Sequence, residues 1–306
     1  MPNNTAKQAL EPSATDNQSP ITDNVSQRED WDLIIKPHDS LLHLHLEDLW
    51  RYRDLVTLFV RRDFVTQFKQ TILGPAWFLI RPLLTTIMFV IVFGNIAKLS
   101  TDGLPKIMFY LSGNTLWIYF SECLTKSSKT FTENAQLFGK VYFPRLAVPI
   151  SVTLSGLLRF ALQFAFLMCF WVYYTIRGAD IHLTLAAFLF PLLILMLAGL
   201  SLGLGIIFSS MTTKYRDMTF LLEFGVRLYM YATPVIYPLS AIEGKWKWFI
   251  LVNPMTSIIE TFRYGFLGVG SFNWFYLAYS FVFMIVVLFV GIVIFNRVEK
   301  TFMDTV

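Results

Sequence analysis

Residues 183–211 have the sequence LTLAAFLFPLLILMLAGLSLGLGIIFSSM, which contains no Asp, Glu, Lys, Arg or His. A transmembrane helix needs about 20 consecutive, mostly apolar residues to cross a hydrocarbon core of roughly 30 Å. A strand that crosses a membrane would be about half as long and would alternate in polarity. The segment therefore predicts a membrane-spanning helix. Gly199 and Gly203 form a GxxxG pattern within it, which is typical of close helix packing, in a dimer or elsewhere.

Five further apolar segments follow the same pattern, at 77–96, 107–124, 146–176, 218–239 and 272–295. Of the 306 residues, 55% are hydrophobic and 15% are charged, whereas soluble domains carry about 25% charged residues. The predicted fold class is an all-α integral membrane protein with six transmembrane helices. Basic loops beside a membrane explain the net charge of +4, so no nucleic-acid partner is predicted.

Lys and Arg residues are unevenly distributed around the segment ends. More of them flank the side that holds residues 61–69, 126–145, 214–216 and 297–300 than the opposite side. Because positive charges collect in cytoplasmic loops, this predicts that the N-terminus and the C-terminus are both cytoplasmic.

The chain begins with a polar segment. Residues 1–45, which open on a stretch rich in Asn, Ser, Thr, Gln and Asp, are predicted to be a disordered or poorly ordered cytoplasmic tail. Residues 46–74 are predicted to form an amphipathic helix, because Val56, Phe59 and Phe64 recur at helical spacing among arginines. Such a helix lies in the headgroup plane and contacts anionic membrane lipids, and the alternative is an ordinary cytoplasmic helix. The six-span domain is predicted to occupy residues 75–306.

Residues 240–271 contain two apolar runs that are each too short to cross a membrane. Asn253-Pro254 separates the runs, and Glu260 and Arg263 interrupt the second one. We predict a pair of re-entrant half-helices on the external face, with the bend at Asn253-Pro254. The alternative is a seventh span, which would place the C-terminus outside.

Ionisable residues within or near the spans are candidate functional residues, because burying a charge in hydrocarbon is costly. They are Arg81, Glu122, Arg159, Glu223 and Arg227. Glu223 precedes Arg227 by four residues, the spacing of a helical ion pair, which serves either packing or transport directly. Arg81 and Glu122 are close enough to the span ends to reach the membrane interface.

Aromatic side chains make up 17% of the chain, and several lie on the predicted third and fifth spans. Aromatic rings stack on the apolar faces of sugars, so these residues are candidates to line a glycan channel. The alternatives are contacts with lipid or with other helices. The candidates are Phe160, Phe164, Trp171, Tyr174, Tyr229 and Tyr231.

The sequence contains no GxxxxGK[S/T] phosphate loop, no HExxH and no Cys/His cluster with metal-ligand spacing. We therefore predict that this chain has no catalytic site and binds neither a metal nor a cofactor, so it is not an enzyme.

Several short strings, taken together and in this order, resemble the transmembrane permease subunits of type-2 ABC exporters for polysaccharides, namely O-antigen, capsule and teichoic acid. Each string is weak alone, but the ordered set is specific and covers most of the chain. The strings are LWRYRDL (49–55), RDF (62–64), KQTILGPAW (69–77), KVYFPR (140–145), KYRD (214–217), PVIYP (234–238), NPM (253–255) and FR (262–263). One departure is Gln67-Phe68, where the family pattern has Arg-Tyr.

The resemblance implies a homodimer of six-span subunits in the bacterial inner membrane, together with a separate cytoplasmic ATPase that holds ATP and magnesium. The cargo would be a lipid-linked polysaccharide. A coupling helix in the loop 126–141 would dock on the ATPase, and the re-entrant helices would form an external gate. The implied coupling residues are Lys129, Phe131, Glu133, Leu137, Phe138 and Lys140; the implied gate residues are Asn253, Pro254, Glu260 and Arg263; the family motif loop is Lys214, Tyr215, Arg216 and Asp217.

Three alternatives stay open at this stage. The first is a type-2 ABC permease for another cargo, such as a drug or a lipid. The second is an ion-coupled flippase, which would need no ATPase and would be expected to carry more unpaired acids in its spans. The third is a membrane-embedded transferase, which would need a catalytic acidic pair or a His/Asp facing a cavity.

Overall fold

A computed structural model of the chain describes residues 50–303 with the exception of residues 70 and 142. The tail predicted for residues 1–45 and the first residues of the predicted 46–74 helix lie outside this part, as do residues 304–306. Within the described part, all regular structure is helical and no strand occurs. The predicted all-α class is therefore confirmed.

Ten α-helices occur in the described residues, and they are numbered here in chain order. They are α1 (Arg53–Phe68), α2 (Trp77–Phe89), α3 (Lys106–Ser127), α4 (Thr130–Phe138), α5 (Ala147–Ile176), α6 (Phe190–Lys214), α7 (Met218–Tyr231), α8 (Lys245–Val252), α9 (Pro254–Leu267) and α10 (Trp274–Met303). A π-helical segment, Val90–Ile96, continues α2, and a 3-10 helix, Leu185–Leu189, leads into α6.

Four helical segments are long and apolar enough to cross a membrane: Gly74–Ile96, Ala147–Ile176, Leu185–Lys214 and Trp274–Glu299. They match the first, third, fourth and sixth predicted spans. The second predicted span corresponds to α3, whose 22 residues include many polar ones. The fifth corresponds to α7, which has 14 residues and is about 21 Å long. The count of six spans therefore stays a prediction.

Helix α3 is less apolar because other helices enclose it. It contacts α2, α5, α6, α7 and α9, and Phe109, Leu111 and Phe120 are at most 1% exposed. A helix surrounded by protein does not face lipid, so polar side chains are acceptable where they find partners. Asn114, for example, donates a hydrogen bond to the carbonyl of Pro82 in α2 at 3.2 Å.

A proline inside α2 explains a buried glutamine in α5. Pro82 has no N–H to donate to the carbonyl of Phe78 one turn earlier. The side-chain amide of Gln163 donates to that carbonyl at 3.4 Å. A freed carbonyl in an apolar environment needs a partner, so this hydrogen bond fixes α2 against α5.

The glycines of the GxxxG pattern pack α6 against α10 of the same chain. A Cβ at Gly199 would lie 2.5 Å from the sulfur of Met284, and one at Gly203 would lie 2.9 Å from the backbone of Leu288. A Cβ added at Gly291 of α10 would lie 2.8 Å from the carbonyl oxygen of Gly203. The close packing that the pattern predicts is therefore found within one chain.

The loops between the long helices gather at two ends. At one, here called the α9 end, Ser240 donates to Asp102 at 2.6 Å, and the N–H of Thr184 donates to the carbonyl of Gly265 at 2.9 Å. At the other, the α4 end, Arg145 donates to the carbonyl of Glu299 at 2.9 Å. The α9 end comprises residues 97–105, 177–184 and 232–273. The α4 end comprises residues 50–69, 71–73, 128–141, 143–146, 211–217 and the last described turns of α10.

Candidate functional site

Helix α4 is the short helix of the predicted coupling loop 126–141. Phe131 is 0% exposed and Phe138 is 4% exposed. The Phe131 ring stacks on Phe295 of α10 with the ring centroids 4.6 Å apart, and Phe138 lies 5.6 Å from Phe143. Both rings belong to an apolar cluster shared with α1, α5, α6 and α10. They attach α4 to this chain, and their contact with an ATPase stays a prediction.

The other predicted coupling residues lie nearer the surface of α4. Glu133 and Lys140 are exposed and Leu137 is half-buried. The next residue, Val141, is 54% exposed. This side of α4 therefore combines charges of both signs with apolar area, a composition found where one protein docks on another.

Lys129, just before α4, connects this helix to α7. Its ammonium nitrogen lies 2.9 Å from Oε1 of Glu223. The predicted partner of Glu223 was Arg227, but Arg227 is exposed and takes part in none of the ion pairs found within residues 50–303. The four-residue spacing on α7 allows an ion pair between Glu223 and Arg227. In the structure, Glu223 pairs instead with Lys129, which lies in the loop before α4.

The family motif loop joins α6 to α7 at the α4 end. Lys214, Tyr215, Arg216 and Asp217 are all exposed. Just before them, the Thr212 hydroxyl donates to the carbonyl of Ser128 at 2.7 Å, which places the motif beside the start of α4.

Arg159 and Glu122 form an ion pair between α5 and α3. The Arg159 Nε atom lies 3.3 Å from Glu122 Oε2, and Arg159 is only 3% exposed. Its Nη1 atom donates to the side-chain oxygen of Gln67 in α1 at 3.0 Å. The unexpected glutamine thus supplies an acceptor to a buried cation, where an arginine would add a like charge. The fifth charged candidate, Arg81, is exposed on α2.

Most of the candidate channel aromatics pack inside the chain. Phe160 is 3% exposed, and Phe164 stacks on Phe190 of α6 with centroids 4.5 Å apart. The indole N–H of Trp171 donates to the carbonyl of Phe266 at 2.8 Å. These three residues join α5 to α6 and α9, and their role as channel-lining side chains stays a prediction. Tyr174 is half-buried in the same core, while Tyr231 is 55% exposed.

Arg263 and Glu260 of α9 are buried rather than exposed at a gate. Arg263 is 1% exposed, its Nη1 and Nη2 atoms donate to the carbonyls of Pro234 and Val235 at 2.6 and 2.9 Å, and its guanidinium lies 3.8 Å from the Phe109 ring centroid. Glu260 accompanies it at 3.5 Å. The pair therefore holds the segment after α7 against α3 and α9.

Asn253 and Pro254 form the break between α8 and α9, as predicted. Pro254 occupies the first turn of α9, and the Asn253 side chain accepts a hydrogen bond from the N–H of Met255 at 2.9 Å, so it caps the helix. Its Oδ1 atom also accepts from the hydroxyl of Tyr229 at 2.6 Å, and its amide donates to Ala232 and Thr233. Tyr229, a channel candidate, therefore binds this break.

Two contacts at the site were missed by sequence reasoning. The Phe131–Phe295 stack joins residues far apart in sequence, and nothing in either local pattern indicates it. Gln67 was noticed only as a departure, although a glutamine in place of a cation is itself a signal that a positive partner lies nearby.

The described residues thus define an integral membrane protein with a helical body and buried ion pairs, in which the short helix α4 packs against the body at the α4 end. A family model, the ABC-2 type transporter, matches residues 54–267, and the chain belongs to this family. The O-antigen export system permease protein RfbA of Klebsiella pneumoniae is 26% identical over 82% of this chain and 94% of its own length. An RfbA of Myxococcus xanthus is 26% identical over 71% and 82%. The polysialic acid transport protein KpsM of Escherichia coli is 24% identical over 80% and 93%.

Proposed function

We propose that this chain is the membrane permease subunit of an ATP-driven exporter that moves a lipid-linked polysaccharide across a bacterial inner membrane. Membership of the ABC-2 type transporter family supports the transport role. The observation that carries the cargo class is that relatives named for O-antigen export and polysialic acid transport are matched over 94% and 93% of their own lengths. The similarity therefore extends over nearly the whole of those proteins.

In this proposal α2, α3, α5, α6, α7 and α10 cross the membrane, with the α4 end cytoplasmic and the α9 end external. The excess of Lys and Arg at the α4 end supports this orientation. Helix α1 lies in the headgroup plane. Helices α8 and α9 are re-entrant, because the Asn253-Pro254 break separates them and both belong to the α9 end.

A separate ATPase binds ATP and magnesium and presses on the exposed surface formed by Glu133 of α4 and by Lys140 just after it. The Phe131–Phe295 stack connects α4 to α10, and the Lys129–Glu223 ion pair connects the start of α4 to α7. ATP-driven movement of α4 therefore changes the positions of α7 and α10, and the transport step follows from this difference in contacts between two states.

A second copy of the chain completes the path for the glycan. Helix α7 supports this part of the proposal, because Phe220, Phe224 and Tyr231 are 75%, 60% and 55% exposed. These side chains are available to contact the second copy or the glycan. The hydrogen bond between Asn253 and Tyr229 holds the proposed external gate beside α7.

Deletion of the gene and purification of the full chain test the proposal. Cells without the gene are expected to retain the polysaccharide inside, and the tagged chain is expected to co-purify with a nucleotide-binding ATPase. Glu133→Lys combined with Lys140→Glu should reduce recovery of the ATPase, because charge complementarity at a docking surface is reversed. Lys98→Glu, at the opposite end, is the matched control and should leave recovery unchanged.

Two results would contradict the proposal. One is unchanged surface polysaccharide in cells that lack the gene. The other is translocation by the reconstituted chain alone, driven by a proton or sodium gradient.

A further inference from the structure

A cavity of about 420 Å³ lies at the α9 end. Its walls come from the loop before α3, from α8, from α9, from residues 270–273 and from Tyr276 in the first turn of α10. This volume falls within the range of roughly 300–1,000 Å³ that is typical of small-molecule sites. In the proposed orientation the cavity is on the external side, next to the end of the export path.

On the α9 side, the cavity is lined by the polar side chains of Thr256, Ser257, Glu260 and Thr261, which belong to a largely buried helix. Thr256 donates to the carbonyl of Ile250 at 2.6 Å, and Ser257 donates to the hydroxyl of Ser280 at 2.7 Å. Thr261 is 1% exposed and also lines the cavity, where a ligand can pair with its hydroxyl.

Three further polar groups that line the cavity are unpaired within residues 50–303. They are the ammonium of Lys247, the side-chain N–H₂ of Asn273 and the hydroxyl of Tyr276, all hydrogen-bond donors. Acceptors face them from two carboxylates. Asp102 is held by Ser240 at 2.6 Å, and Glu260 accepts from the N–H of Ser271 at 3.0 Å.

This arrangement favours a ligand rich in hydroxyl groups. Hydroxyls both donate and accept, so they can use the carboxylates and the unpaired donors together. The rings of Phe272 and Tyr276 give apolar surface for the carbon face of a sugar. The cavity offers no excess positive charge to an acidic ligand, because Lys247 and Arg263 are matched in number by the carboxylates of Asp102 and Glu260, the second of which pairs with Arg263.

We propose that this cavity, lined by Asp102, Lys247, Glu260, Thr261 and Tyr276, binds a neutral sugar unit of the exported glycan at the external end of the path. The proposal rests on the proposed export function and deepens it. Asp102 and Glu260 accept hydrogen bonds from sugar hydroxyls, and Lys247, Thr261 and Tyr276 donate to sugar oxygens. The site holds the emerging polymer beside the gate and disfavours an acidic polymer.

Binding to the full chain in lipid nanodiscs tests the site. The probes are delipidated polysaccharide from the cells that carry the gene and, for comparison, oligosialic acid, each titrated by calorimetry. The cells' own polysaccharide is expected to bind more tightly than oligosialic acid. Tyr276→Phe, Thr261→Val and Lys247→Met should each weaken binding by about 3- to 10-fold, the effect of losing one hydrogen bond.

Tyr173→Phe is the matched control, because Tyr173 is exposed at the end of α5 and does not line the cavity. It should bind as the unaltered chain does, and the Tm of each variant shows that it is folded. Equal binding by all folded variants, or tighter binding of oligosialic acid, overturns the proposal. Export in the same cells separates the two ideas: if the gene is required for surface polysaccharide but the cavity variants bind normally, only the cavity proposal fails.

Discussion

Arg263 and Glu260 illustrate how charged residues in an apolar helix can serve structure. The family resemblance implied that both residues belong to an external gate, and the three-dimensional contacts give them a structural role. The guanidinium donates to two backbone carbonyls that lie outside any helix and so have no other regular partner. Glu260 neutralises the charge and binds the backbone that precedes α10. One ion pair therefore connects three segments of the α9 end.

Arg263→Met is expected to lower the free energy of unfolding by about 3–5 kcal/mol, because Glu260 loses its counterion and two carbonyls lose their donor. Thermal unfolding of the purified chain in detergent measures this change. Arg177→Met removes an exposed arginine at the same end and should change the stability by less than about 0.5 kcal/mol. Equal Tm values for the two variants would contradict the structural role of Arg263.

At the scale of elements, α4 depends on partners that are remote in sequence. Its two rings pack into a cluster built by α1, α5, α6 and α10, and Lys129 pairs with α7. A nine-residue helix is too short to be stable alone, so these tertiary contacts determine its position. The element that we propose to receive the force of an ATPase is therefore attached firmly to the helices that would have to move.

Reversing the Lys129–Glu223 pair tests this attachment. Lys129→Glu and Glu223→Lys each place like charges about 3 Å apart, so each is expected to reduce export several-fold. The double variant restores opposite charges and should recover most of the export, as measured by surface polysaccharide. The control is Glu243→Lys, an exposed charge reversal at the α9 end. If the double variant is no better than the sum of its parts, the pair does not couple α4 to α7.

At the scale of the whole molecule, the two ends differ in charge and in proposed exposure. Cysteine labelling in a Cys169→Ala background measures which end is outside, since the remaining Cys123 is buried. In spheroplasts, a membrane-impermeant maleimide is expected to label Ser100→Cys at the α9 end. It should label Lys140→Cys at the α4 end only after the membrane is opened. Labelling of Lys140→Cys in sealed spheroplasts would reverse the proposed orientation.

Much of the helical architecture could be predicted, because apolar length alone identifies a helix that faces lipid. The segments that became α5, α6 and α10 were predicted in this way, and so was the break at Asn253-Pro254, where local capping and proline chemistry act within a few residues. Helix α3 is long enough to cross a membrane, but it is less apolar than the four candidate spans because other helices surround it.

The amino-acid sequence by itself determined that this protein is helical and enters a membrane, since both follow from local composition and from the cost of unpaired backbone groups in hydrocarbon. Only the tertiary structure decided which charges pair, which rings are enclosed and where the polar cavity lies. Phe131, Phe160 and Glu223 each contact a side chain that is distant in sequence, namely Phe295, Tyr119 and Lys129. The physical reason is that side-chain packing and charge pairing depend on short distances in space, which local sequence patterns do not contain.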